Sequence, residues 1–273
     1  MGFSINTNIS AMTANLHANI GSKGLQNSLS KLSSGSQVGN AASGLAIANQ
    51  LSAQVAGLGQ SIMNSNDSIG MIQIADGAMQ GINDNMDRVR TLTLQASNGT
   101  LNAGDREIIQ NEIDSLLESS DDIAQQTSYN GIKLLDGTGG SSGDGVFTTQ
   151  TGPDSGDTQS VKIEDAQMSS LLGTIDVTTQ AGRDTALESI DTAMGSINDI
   201  RAELGASQNQ LMSNIRNTSV TQVNIASAES QIRDVDFAAE SANFSQQNIM
   251  SQIGSFTQAQ ANASASNVTR LFN

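Results

Sequence analysis

The chain has 273 residues, a formal net charge of −15, no Cys, no Trp, one Tyr and six Phe. Without thiols it can build neither a disulfide frame nor a thiolate site, and its acidity disfavours nucleic acid and anionic membrane as partners. So few aromatic anchors, beside much Gly, Ser, Asn, Gln, Ala and Thr, favour extended helices held by many small contacts over a compact barrel.

The length admits one large domain or two. The distribution of charge divides it. Met1–Asn66 carries only Lys23 and Lys31, and Ser241–Asn273 only Arg270, so all 27 Asp and Glu fall between Asp67 and Glu240. Burying an unpaired charge is costly, so nearly uncharged ends are candidates for burial and the acidic middle for the wet surface.

Ile5, Ile9, Met12, Leu16 and Ile20 recur every three or four residues, and Leu25, Leu29 and Leu32 resume the pattern, which predicts a helix with one apolar face. Ser33–Gly44 reads as a break. A second seam runs through Leu51, Val55, Leu58, Ile62, Ile69, Ile72, Met79 and Met86, flanked by Ile82 and Val89, and fades at Asn98-Gly99. A third helix is expected from about Asp105 through Ile109, Ile113, Leu116 and Ile123.

Gly137–Gly145 is low in complexity. Val146–Thr151 and Ser160–Glu164 follow as strand-like runs, separated by a turn that holds the lone proline, Pro153, which predicts a β-hairpin. Ile190, Ile197, Leu204, Leu211, Thr218, Ile225 and Ile232 then fall seven apart, with Leu187, Met194 and Ile215 on partner positions. A repeat kept this long implies coiled-coil-like packing. After Asp236 an amphipathic stretch carries Phe237, Phe244, Ile249, Ile253 and Phe256. The expected fold is mainly α: a long coiled-coil-like bundle, a folded-back rod with a small mid-chain hairpin and adjacent termini.

Chemistry finds little support. His17 is the single histidine, so no zinc site of His and Cys is available, and Asp121-Asp122, Asp144, Asp154 and Asp157 lack the spacing of a calcium loop. The Gly-rich stretch has no Gly-Lys-Ser/Thr ending. No enzyme activity, cofactor or metal is expected. No basic-then-apolar leader and no run of roughly 20 apolar residues appears, so any export is expected by a route that cuts no signal peptide.

Several motifs resemble bacterial flagellin. On the N-terminal side these are Ser4-Ile5-Asn6-Thr7-Asn8, Leu29-Ser30-Lys31-Leu32-Ser33-Ser34-Gly35, Asn40–Ala48, Ile109–Ile113 and Thr127–Leu135. On the C-terminal side they are Arg201–Ala206 and Ser230–Asp236. The resemblance implies a secreted, extracellular subunit of the flagellar filament, exported unfolded through the flagellar channel. Residues 1–44 plus 236–273 would be the inner-tube helices, and 45–235 the outer rod, with the hairpin and loops at about 138–180.

Subunit packing would fall to Ile5, Ile9, Met12, Leu16, Ile20, Leu29, Leu32, Phe237, Phe244, Ile249, Ile253 and Phe256. The terminal stripes could be an ordinary bundle core; the functional reading is that they stay largely disordered until neighbouring subunits cover them. Implied partners are further copies of the chain, an export chaperone at the C-terminal segment, and the filament cap and hook-junction proteins. Met86–Gln95 is similar to the segment sensed by a vertebrate Toll-like receptor, which puts Arg88, Leu92, Gln95, Ile109 and Glu112 at the contact. The rival readings are a hook–filament junction protein and, from another class, a monomeric secreted adhesin or effector.

Overall fold

The computed structural model describes residues 8–37 and 42–271. Six helices form among them: α1 (Ile9–Ser34), α2 (Ala42–Ala96), α3 (Ala103–Gln126), α4 (Met168–Leu171), α5 (Gln180–Arg233) and α6 (Phe237–Leu271). Between α3 and α4 lie the strands β1 (Ser128–Tyr129), β2 (Ile132–Lys133), β3 (Val146–Gln150) and β4 (Thr158–Lys162). The fold is mainly α, as the periodicities predict, with the expected β3–β4 hairpin and a second, shorter one, β1–β2. Ile5 lies outside the described residues. The chain divides into two compact units, Met1–Val55 with Val223–Asn273, and Ala56–Gln222.

In the unit Ala56–Gln222 the α2 seam runs through Leu58, Ser61 and Ser65, then, after one step of seven, by steps of three and four through Ile72, Ala75, Met79, Ile82, Met86 and Val89, all buried. On α5 the buried apolar set is Ala186, Ile190, Ala193, Ile197, Ile200, Leu204 and Leu211. Here the expectation needs correction: Leu187, Met194 and Ile215 are only half-buried, and Ala186, Ala193 and Ile200 hold the inner partner positions. Alanine there lets helices approach closely, and the larger residues pack beside the seam.

Ion pairs flank the α2–α5 seam: Arg201 Nε to Asp76 at 2.7 Å and Arg90 Nε to Asp191 at 2.7 Å, with Asn83 donating to Asn198 between them. Along each helix the order is acid, amide, base, so only an antiparallel pair matches opposite charges.

α3 opens with a capping box, in which Asn102 accepts from the Asp105 N–H and Asp105 accepts from the Asn102 N–H. The helix buries Ile109, Ile113, Ser120 and Ala124. β1 and β2 form a tight hairpin whose turn, Asn130-Gly131, has φ of 51° and 80°, the left-handed pair that two-residue hairpins require.

β3 and β4 pair antiparallel from Val146↔Lys162 to Gln150↔Thr158. Phe147, Thr149, Gln159 and Val161 face inward. The hairpin docks by polar contacts: Thr149 Oγ1 lies 2.5 Å from Ser68 Oγ on α2, and Gln159 bonds Ser207 O and Asn214 on α5.

Candidate assembly interface

The other unit contains α1 and α6 side by side and antiparallel. Asn8 caps α1, its Oδ1 accepting from the Ala11 N–H while its Nδ2 donates to Ala261 O at 3.1 Å. At the other end of α1, Gly35 takes a left-handed φ of 68° and its carbonyl accepts from the Val235 N–H. The Asp236 carboxylate caps α6 by accepting from the Ala238 and Ala239 N–H groups.

Between these ends the helices meet through small and polar residues. A Cβ on Gly254 would lie 3.3 Å from Ala18 Cβ, one on Gly21 would lie 3.8 Å from Ser251 N, and one on Gly24 would meet the Gln247 amide. Nearest the root, Ser28 and Glu240 are buried, and Lys31 Nζ lies 3.6 Å from Glu240. The Ser28 hydroxyl donates to the Glu240 carboxylate and, with help from Lys31 and Asn243 and against burial, holds its pKa below the usual glutamate range.

The large apolar side chains point elsewhere. Ile9 is 70% exposed and Phe256 72%, and Met12, Leu16, Ile20, Leu29, Phe237, Ile249, Met250 and Ile253 are exposed with them. Leu32 and Phe244 are half-buried. Ile9, Thr13 and His17 of α1, with Met250, Ile253 and Thr257 of α6, line an open groove of about 460 Å³. His17 is thus an exposed wall residue.

Apolar bulk alone does not mark this seam. Its signal is present but carried by small and polar residues: Ala14, Gly21 and Ser28 are seven apart on α1, as are Glu240, Gln247, Gly254 and Ala261 on α6. Close approach along such a stripe leaves the bulky face outside.

In the region compared with a receptor contact, Arg88 and Glu112 pair on the surface at 2.7 Å, and Gln95 is exposed. Leu92, only 1% exposed, and Ile109 belong to the core instead. A helix face turned inward at Leu92 turns outward at Leu94, which is exposed, as is Ile108.

The acidic residues of the middle serve local structure. Asp121 accepts from the Met168 and Ser169 N–H groups, Asp144 from Val146, and Asp157 from Asp154. Among the described residues no three His, Cys, Asp or Glu converge as metal ligands, and no helix is long and apolar enough to cross a membrane.

Comparison with known proteins agrees with this architecture. The family model of the bacterial flagellin N-terminal helical region matches residues 5–139, and that of the C-terminal helical region matches residues 187–272. The flagellin of Halalkalibacterium halodurans is 34% identical over 98% of each chain. That of Bacillus subtilis is 36% identical over 98% of this chain and 99% of its own. The crystal structure of Bacillus cereus flagellin is similar at 33% identity and a TM-score of 0.51, covering 61% of this chain and 94% of that one. The chain belongs to the bacterial flagellin family and is a structural subunit of the flagellar filament.

Proposed function

We propose that subunits join through the exposed apolar faces of α1 and α6, with no catalytic step, and that residues 1–44 and 236–273 form the inner tube while 45–235 form the outer rod. The observation that carries this reading is the outward aim of Ile9, Met12, Leu16, Ile20, Leu29, Phe237, Ile249, Ile253 and Phe256. Ile5, Leu32 and Phe244 complete the set. The pair closes on small residues and leaves its hydrophobic surface for something else, and a contiguous apolar face of this kind marks an interaction site. A repeating subunit needs faces that are complementary but different, so that each copy covers the next without closing a ring.

In this reading the free subunit holds its ends only loosely, because two helices sharing a small-residue seam bury little apolar area. The test is seeded elongation. Ile9→Asp with Phe256→Asp should leave the helicity of the Ala56–Gln222 unit unchanged and stop growth on filament seeds. Normal growth of that variant would overturn the assignment.

The subunit leaves the cell through the flagellar channel, its C-terminal segment held by an export chaperone, and adds to the filament between hook-junction and cap proteins. The Toll-like receptor contact is carried by Arg88, Gln95 and Glu112 with the exposed Leu94, over a base formed by Leu92 and Ile109. Arg supplies charge-assisted bonds there and Leu apolar contact.

A further inference from the structure

We infer that Met12 and Met250 are modification sites at which a hydroperoxide oxidant makes the subunit unable to assemble. The inference rests on the reading that the terminal faces are where subunits join. Because the chain has no Cys, thioethers are its only sulfur, and two-electron oxidation falls on them.

The structure sorts those thioethers. Met71, Met79, Met86 and Met168 are buried in the core, and Met194 is packed against it. Met63 and Met212 are exposed, but on the other unit. The α1–α6 pair holds two methionines among its described residues, Met12 at 72% exposure and Met250 at 55%. Each sits inside an apolar face, Met12 between Ile9 and Leu16 on α1, and Met250 between Ile249 and Ile253 on α6.

In the reaction a sulfur lone pair attacks the distal peroxide oxygen. The O–O bond breaks, an S–O bond forms, and the departing alkoxide or hydroxide takes up the peroxide proton. The thioether is oxidised by two electrons and the peroxide reduced to an alcohol or water. The product, a sulfoxide, is a strong acceptor on a side chain that had only a weak one. Packed between subunits against Ile9, Leu16, Ile249 or Ile253, which donate nothing, it carries the cost of an unsatisfied polar group. In the filament the same two sulfurs are covered, so the free subunit is the vulnerable form.

The experiment treats free subunits with hydrogen peroxide, maps sulfoxide at each methionine by peptide mass spectrometry, and measures elongation on untreated seeds. Met12 and Met250 should be oxidised well before Met79 and Met86, and elongation should slow by about tenfold or more. Methionine sulfoxide reductases of both epimer specificities should restore growth as those two sulfoxides disappear, a readout that needs no variant. Met12→Leu with Met250→Leu, given the same treatment while Met63 and Met212 remain oxidisable, should keep its untreated rate.

Full-speed growth of subunits carrying both sulfoxides overturns the inference, as does equal inactivation of the double Leu variant. Failure of the underlying reading looks different: untreated Met12→Glu with Met250→Glu would then elongate like the unmodified chain.

Discussion

Glu240 and Ser28 meet inside the α1–α6 seam, the hydroxyl donating to the carboxylate while Lys31 Nζ stands 3.6 Å away. Glu240 is the last acid in the chain, and Lys31 is the cation that closes α1. A seam otherwise built from Ala, Gly, Ser and Gln thus keeps one charged contact, at its root.

This contact predicts a pH dependence. A glutamate whose folded pKa lies below its unfolded value, ordinarily about 4.3, adds stability above that value and loses it as pH falls through the folded pKa. The protection of the α1 and α6 amides in assembled filaments, relative to their intrinsic exchange at each pH, should therefore fall at the acid end of a scan. Glu240→Gln, which cannot ionise, should flatten that step. Identical acid profiles for the two chains would remove Glu240 from the account.

The glycines of the seam should respond by geometry rather than by helix propensity alone. Gly21→Ala places its methyl 3.8 Å from the nearest atom, so the propensity gain of up to about 1 kcal/mol should appear as a higher dissociation temperature of the filament. Gly254→Ala meets Ala18 Cβ at 3.3 Å and should gain less or lose. Gly21→Leu should wedge the helices apart and lower the helicity of both ends by circular dichroism.

Core and face positions should separate stability from assembly. Ile197→Ala, at a fully buried site, should cost the free subunit about 2–5 kcal/mol in urea unfolding. Ile9→Ala, at an exposed site, should change that unfolding by less than about 0.5 kcal/mol yet slow elongation. Equal effects of the two on unfolding would contradict the outward aim of Ile9.

Four residues apart on α2, Arg88 and Leu92 should behave as differently. The Arg88–Glu112 pair is exposed, so Arg88→Ala should cost no more than about 1 kcal/mol, whereas Leu92→Ala opens a cavity costing about 2–5 kcal/mol. Receptor signalling lost on Arg88→Ala without loss of stability would then report a missing contact. Signalling lost on Leu92→Ala would report a disturbed helix.

Large residues made most of the fold legible. The stripe from Ile9 to Ile20, the seven-residue run from Ile190 to Leu211, and the strand runs on either side of Pro153 correspond to α1, α5, β3 and β4, with β4 starting two residues earlier than expected. Side-chain direction was less visible. Apolar spacing identifies a face but does not say what covers it, so Leu92 read as an anchor and proved to be core. The α1–α6 contact is made at Gly24 and Gly254, and Ala186 and Ala193 are buried on α5, residues that barely register on a hydrophobic scale. The Asn130-Gly131 hairpin was missed for another reason: its strands are two residues each, too short for any alternation to show.

The turn of the β3–β4 hairpin leaves and re-enters the scaffold at neighbouring points, the Thr151 N–H meeting Asp157 O at 2.7 Å. A segment grafted between those residues begins and ends at nearly the same place, so it can carry a folded cargo of almost any size without stretching the helices beneath. Loop-closure entropy grows only by about 0.6 kcal/mol per doubling of length. This short turn is therefore a natural socket for displayed peptides or whole inserted modules, and lineages can elaborate it without redesigning the bundle that holds it.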